Sequence, residues 1–205
     1  MGRPSARAAL LDTAERLFAE HGLQGISLRS INAEAGLSSA ALHYHFGSKG
    51  ALVEALLERN MPALMRRRGE LLGALDALPR PPTTREVLSA LLEPQVELLE
   101  QGGEAGIRYI RLIHRLQSDG DLDFELVIRR WPGGVSRLLP LLLRANPSLP
   151  RALVERRLAF AIDVMLPSLV KAPKAIGDEL RRYLSELLDF LSGAFEAPAT
   201  FDAHS

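Results

Sequence analysis

The sequence contains no cysteine, which removes disulfide cross-links, thiolate metal sites and a cysteine nucleophile from consideration. It has no excess charge either. Its 25 Lys+Arg balance 25 Asp+Glu, so the whole chain exerts no pull on nucleic acid or on an anionic membrane. Any contact with a polyanion must come from local residues. Lysine is nearly missing: it stands only at 49, 171 and 174, and Lys49 is alone in the first 170 residues. Alternating β-branched runs are absent, since Val and Ile are scattered singly among Leu and Ala, and this argues against strands. No hydrophobic run is long. The most apolar stretch, 158–170, contains Asp163 and Pro167 and is too short to span a bilayer. Arg3, Arg7, Asp12, Glu15 and Arg16 interrupt the apolar core that a secretory leader requires. These absences predict a cytoplasmic chain with no membrane partner. At 205 residues it can bury roughly 70% of its unfolded surface and needs no metal or cofactor to fold.

What is present is helical periodicity. Leu10, Leu11, Ala14, Leu17 and Phe18 recur at helical spacing with charged residues between them. Ser5 as N-cap and Gly22 beyond the end give a helix over about 6–21. Ser27, Ser38 and Ser48 are predicted to cap helices at 28–35, at 39–45 and from Lys49 to about 77, the last bent at Pro62. Thr83 and Glu86 form a capping box opening a helix at 84–101, which Gly102-Gly103 closes. Further helices fit 104–117, 122–144 with a break at 131–134, 151–171 and 175–194, and 196–205 is a loose tail. The predicted fold is all-α: an N-terminal three-helix unit (4–64) joined by a long helix to a larger helical domain (65–195).

Segment 27–49, SLRSINAEAGLSSAALHYHFGSK, carries the chemistry. Two short helices separated by Gly36-Leu37-Ser38 have the spacing of a helix-turn-helix, where glycine permits a sharp turn. Leu28, Ile31 and Ala35 form one apolar stripe, and Leu37, Leu42 and Phe46 the facing wall. The second helix then exposes Ser39, Ala40, Ala41, His43 and Tyr44, with small side chains at its start and polar and aromatic ones on the next turn. That pattern suits the major groove of DNA. Helix N-termini at Ser27, Ser38 and Ser48 suit phosphates. Lys49 stands in a first turn, where a helix dipole prefers acids, and a phosphate contact would account for it. Arg29 is a phosphate contact or simply an exposed charge. His43 and His45, two residues apart, point to different sides of a helix and do not read as metal ligands.

Together with Thr13-Ala14 to Gly22, the series Ser27, Leu28, Arg29, Ile31, Ala35, Gly36, Leu37, Ser38, Leu42, His45, Phe46, Ser48, Lys49 and Leu52 resembles the tetracycline-repressor (TetR) family of bacterial regulators over residues 4–64. Asn32 replaces the family's usual Ala, and His43-Tyr44 replaces its Tyr-x, as in the fatty-acid-responsive branch. The resemblance implies a homodimeric regulator, a repressor, that binds a pseudo-palindromic double-stranded DNA operator and is released by a small, largely apolar effector. It assigns DNA contact to Ser27, Arg29, Ser38, Ser39, Ala40, Ala41, His43, Tyr44, His45 and Lys49. It also implies dimerisation through 151–171 and 175–194, whose leucine stripes (Leu153, Leu158, Leu166; Leu180, Leu184, Leu187, Leu188, Leu191) suit that role.

Elsewhere two readings stand side by side. Arg108, Arg111 and Arg115 form a basic stripe beside Ile110, Ile113 and His114, either a solvated face or anchors for an anionic effector. Phe124, Trp131, Phe160 and Met165 are core, or the wall of an effector pocket together with Arg111 and His114. Asp163 is a paired buried acid or a polar position at a helix seam. Asp119-Gly-Asp121-Leu-Asp123 lacks the Gly and Glu of a calcium loop and reads as a turn. No nucleophile elbow, P-loop or HExxH occurs, so an enzyme is not expected. The rival reading is a helical adaptor that binds no DNA.

Overall fold

The computed structural model describes residues 5–120, 130, 137–172 and 177–199. Phe124 and Trp131 lie outside the described residues, as do Asp121 and Asp123. Among the described residues there is no strand. The helices are α1 (Ala6–His21), α2 (Leu28–Glu34), α3 (Ala41–Phe46), α4 (Lys49–Asp76), α5 (Thr84–Ser118), α6 (Leu138–Ala145), α7 (Arg151–Lys171) and α8 (Asp178–Glu196). Among the described residues, no helix is long and apolar enough to cross a membrane. The chain is all-α.

It divides into two compact units, Met1–Pro62 with Glu104–Asp123, and Ala63–Gly103 with Phe124–Ser205. In the first, the α1 stripe Leu10, Leu11, Ala14, Leu17 and Phe18 is buried, with Ile31, Leu42, Leu52 and Leu56 closing the core. α1 starts at Ser5, whose hydroxyl accepts from the Ala8 N–H. A division of the chain at 64/65 would leave 104–118 with the larger part. In the structure that segment packs within the first unit: the buried Tyr109 hydroxyl donates to the Leu57 carbonyl at 3.2 Å, and Arg108 lies 3.9 Å from Glu15. Glu15 is itself buried and paired with Arg59 at 3.2 Å. Burial pushes its carboxyl above the usual range, and Arg59 and then Arg108 oppose that rise.

In the second unit the Thr83–Glu86 capping box forms as expected, with the Thr83 N–H donating to Glu86 at 2.8 Å and the Glu86 N–H donating to Thr83 Oγ1 at 3.2 Å. α5 continues past Gly102 to Ser118, but Gly103 breaks it with φ 53 and ψ −130, a conformation open to glycine. Buried Thr84 and Asn146 satisfy each other, the Asn146 amide donating to Thr84 Oγ1 at 3.0 Å. α7 and α8 run antiparallel: Tyr183 donates to the Ser168 carbonyl at 3.1 Å, and Arg157 donates to the Phe195 carbonyl near the other end. Leu180, Leu184, Leu188 and Leu191 are buried inside the chain. They were expected to face a second subunit. They are consumed instead by packing within one chain, because a two-helix layer must first cover its own core. Among the described residues of these two helices, the large apolar side chains left exposed are Phe160 and Val164 on α7 and Phe190 on α8. Asp163, beside them, is exposed rather than a buried acid.

Candidate nucleic-acid interface

α2 begins with a reciprocal cap. Ser27 accepts from the Ser30 N–H at 3.0 Å, and the Ser27 N–H donates to Ser30 Oγ at 3.1 Å. Ile31 and Asn32 are its buried residues. The chain then turns at Gly36, whose φ of 67 is left-handed, and α3 starts at Ala41 rather than 39.

Ser38 does not cap that helix, contrary to the expectation from sequence. The cap position is Ala40, which has no side-chain cap bond. Asn32 takes over the task. Only 2% exposed, it accepts from the Leu42 N–H at 3.0 Å and donates to the Ser39 carbonyl at 3.0 Å. One buried amide thus holds both the turn and the first turn of α3, and it satisfies groups a helix start leaves open. A side chain ten residues earlier does what the nearest serine was expected to do. The sequence signal was Asn32 itself, a polar residue next to Ile31 on a core-facing helix.

With Asn32 fixing its start, α3 presents one side outward. Ser38, Ser39, Ala40 and His43 are exposed, Ala41 and His45 half-buried. Tyr44 is 85% exposed and meets His45 edge-on at 5.1 Å between centroids. Arg29 is exposed and has no ion-pair or hydrogen-bond partner among the described residues. Ser48 caps α4, accepting from the Ala51 N–H at 3.1 Å. Lys49 donates to the Leu23 carbonyl at 2.5 Å and lies 5.8 Å from the Phe18 ring centroid. Its place in a first turn therefore has an internal partner, which ties α4 to the α1–α2 loop.

Arg111 and His114 are half-buried in the first unit, and Met165 is buried in the second. Phe160, in the second unit, is 60% exposed. Arg108 is taken up by Glu15 and Glu104.

Comparison with known proteins agrees with this architecture. The family described as "Bacterial regulatory proteins, tetR family" matches residues 10–56. "Tetracyclin repressor-like, C-terminal domain" matches 89–194. The HTH-type transcriptional repressor KstR2 of Rhodococcus jostii is 32% identical over 105 residues, 51% of this chain and 48% of that protein. The HTH-type transcriptional regulator BetI of Agrobacterium fabrum is 39% identical over 89 residues, 43% of this chain and 40% of that one. The matched region thus spans about half the length of these curated relatives, or less. Among solved structures, the ketosteroid transcriptional regulator KstR2 of Mycobacterium tuberculosis superposes with a TM-score of 0.63 at 24% identity, over 94% of this chain and 96% of that one. A transcriptional regulator from Saccharomonospora viridis in complex with choline gives 0.56 at 22%, over 92% and 96%. With one family matching the helix-turn-helix and another spanning 89–194, more than half of the sequence, the chain belongs to the tetR family of bacterial regulatory proteins.

Proposed function

We propose that this protein is a transcription repressor that binds a pseudo-palindromic operator as a homodimer and leaves it when a small effector binds. The observation that carries this reading is the outward face of α3. His43 and Tyr44 are exposed on α3, and Ser39 and Ala40 on the turn leading into it, with the start of the helix pinned by a buried amide, and the Tyr44 ring offers a partner a large contact area. Small residues allow close approach to the groove, and the turn that follows can reach base edges. Arg29, the capped end of α2 at Ser27 and the Ser48-Lys49 start of α4 would position the unit on phosphates.

Two copies place their α3 helices about 34–36 Å apart on one face of DNA. Phe160, Val164 and Phe190 are exposed large apolar residues of α7 and α8 and supply the dimer face, with Asp163 at its polar seam. On this reading Phe160 belongs to that face rather than to an effector pocket. The effector acts by favouring a form whose half-site separation no longer fits the operator. The protein acts in the cytoplasm and catalyses no reaction.

Gel retardation with DNA upstream of the protein's own coding region tests this directly. A retarded species whose affinity falls steeply between 50 and 200 mM salt is expected. No retardation at low salt favours the helical adaptor instead.

A further inference from the structure

Arg68, on α4, is 4% exposed and lies in a hydrophobic core without a counter-charge. Its Nε and Nη2 donate to the Leu91 carbonyl at 3.3 and 3.2 Å, and Nη1 reaches the Met65 sulfur at 3.3 Å. A guanidinium has five N–H groups. Three are engaged here, all by neutral acceptors, one of them a weak thioether. No Asp or Glu among the described residues pairs with it. The adjacent Arg67 shows the ordinary arrangement, paired with Glu97 at 2.9 Å and half-exposed. Burial lowers the Arg68 pKa to about 10, which leaves it charged at neutral pH.

A structural task accounts for part of this. Arg68 serves the Leu91 carbonyl, one residue on from the Ala90 carbonyl that Pro94, lacking an N–H, leaves without its helical donor. Serving a carbonyl requires only a neutral donor, however, whereas burying an uncompensated charge is costly. Gln95, on the next turn of α5, has a buried Oε1 with no donor among the described residues. Leu64, Leu72, Leu88 and Leu92 on the same two helices are buried. All of these belong to the second unit.

We propose that Arg68 anchors the acidic head group, a carboxylate or a phosphate, of an otherwise apolar effector within the second unit. This deepens the effector part of the proposed function and rests on it. The guanidinium supplies the charge and the fork geometry an oxyanion needs, and the leucines accept the hydrocarbon body.

The test compares decanoate with decanol on the full chain by calorimetry, with operator retardation in parallel. The acid is expected to bind about tenfold or more tightly than the alcohol. In Arg68→Gln that preference falls to about one while decanol affinity is unchanged, and Arg68→Lys keeps part of it. Choline, a cation, does not bind. Equal affinities in the unmodified protein, binding of neither, or a preference that survives Arg68→Gln would each overturn the proposal. The acid–alcohol comparison needs no variant, so it decides even if Arg68→Gln folds poorly. Operator binding without acid preference removes only the anchor. Acid preference without operator binding removes the repressor reading and leaves the anchor.

Discussion

Asn32 concentrates the chemistry of the helix-turn-helix in one side chain. Replacing it with Ala leaves the Leu42 N–H and the Ser39 carbonyl without their bonds, a loss of about 1–3 kcal/mol. Asn32→Ala is therefore expected to lower the thermal midpoint and, at temperatures where the variant is still folded, to weaken operator binding. Unchanged affinity in the folded variant would show that the amide positions nothing. Tyr44 should behave in the opposite way. Because it is exposed, Tyr44→Ala changes stability by no more than about 0.5 kcal/mol yet weakens the operator complex in a retardation titration. Lys49 combines both effects. Lys49→Ala removes the donor to the Leu23 carbonyl, and thermal unfolding should register it. If the ammonium also meets a phosphate, the salt slope falls by about 1. An unaltered slope assigns Lys49 to structure alone.

The helices begin and end for local reasons, which made them readable. Serine caps at Ser5, Ser27 and Ser48 form where the sequence places them, and Thr83 with Glu86 does the same for α5. The Glu86 cap is reinforced by Arg80 at 2.6 Å. Bonding to Arg80, then to the Thr83 backbone, lowers the Glu86 pKa to about 2. A carboxyl depressed from its unfolded value near 4.5 adds stability above that pH and loses it as pH falls toward 2. Thermal unfolding should show Glu86→Gln less stable than the parent at pH 7, with the gap narrowing below pH 4. A constant gap would separate the cap from ionisation. Gly103 is the second local device. At φ 53 and ψ −130 a Cβ is strained whatever space surrounds it, so Gly103→Ala should cost about 1–3 kcal/mol. A neutral outcome would mean that the α5 break readily relaxes into continuous helix.

At the scale of the molecule, the exposed apolar side chains of α7 and α8 set the expected assembly. Phe160 is 60% and Phe190 66% exposed, and a second copy is the occupant the proposed repressor requires. Phe160→Glu combined with Phe190→Glu is expected to shift size-exclusion elution to the monomer. It should also lower operator affinity, since one half-site then binds without its mate. A dimer that persists in the double variant would place the interface elsewhere.

Sequence alone determined what depends on near neighbours: helix content, serine caps, the Gly36 turn and the apolar stripe of α1, each set by spacing within one or two turns. Tertiary structure decided what depends on residues far apart in the chain. Asn32 rather than Ser38 secures α3, Tyr109 joins 104–118 to the first unit, and the α8 leucines turn inward so that phenylalanines remain outside. The physical reason is that a cap, a buried charge or an apolar face is satisfied by whichever group the folded chain brings within bonding distance. Periodicity shows that a side chain needs a partner, and only the packed molecule shows which one it has.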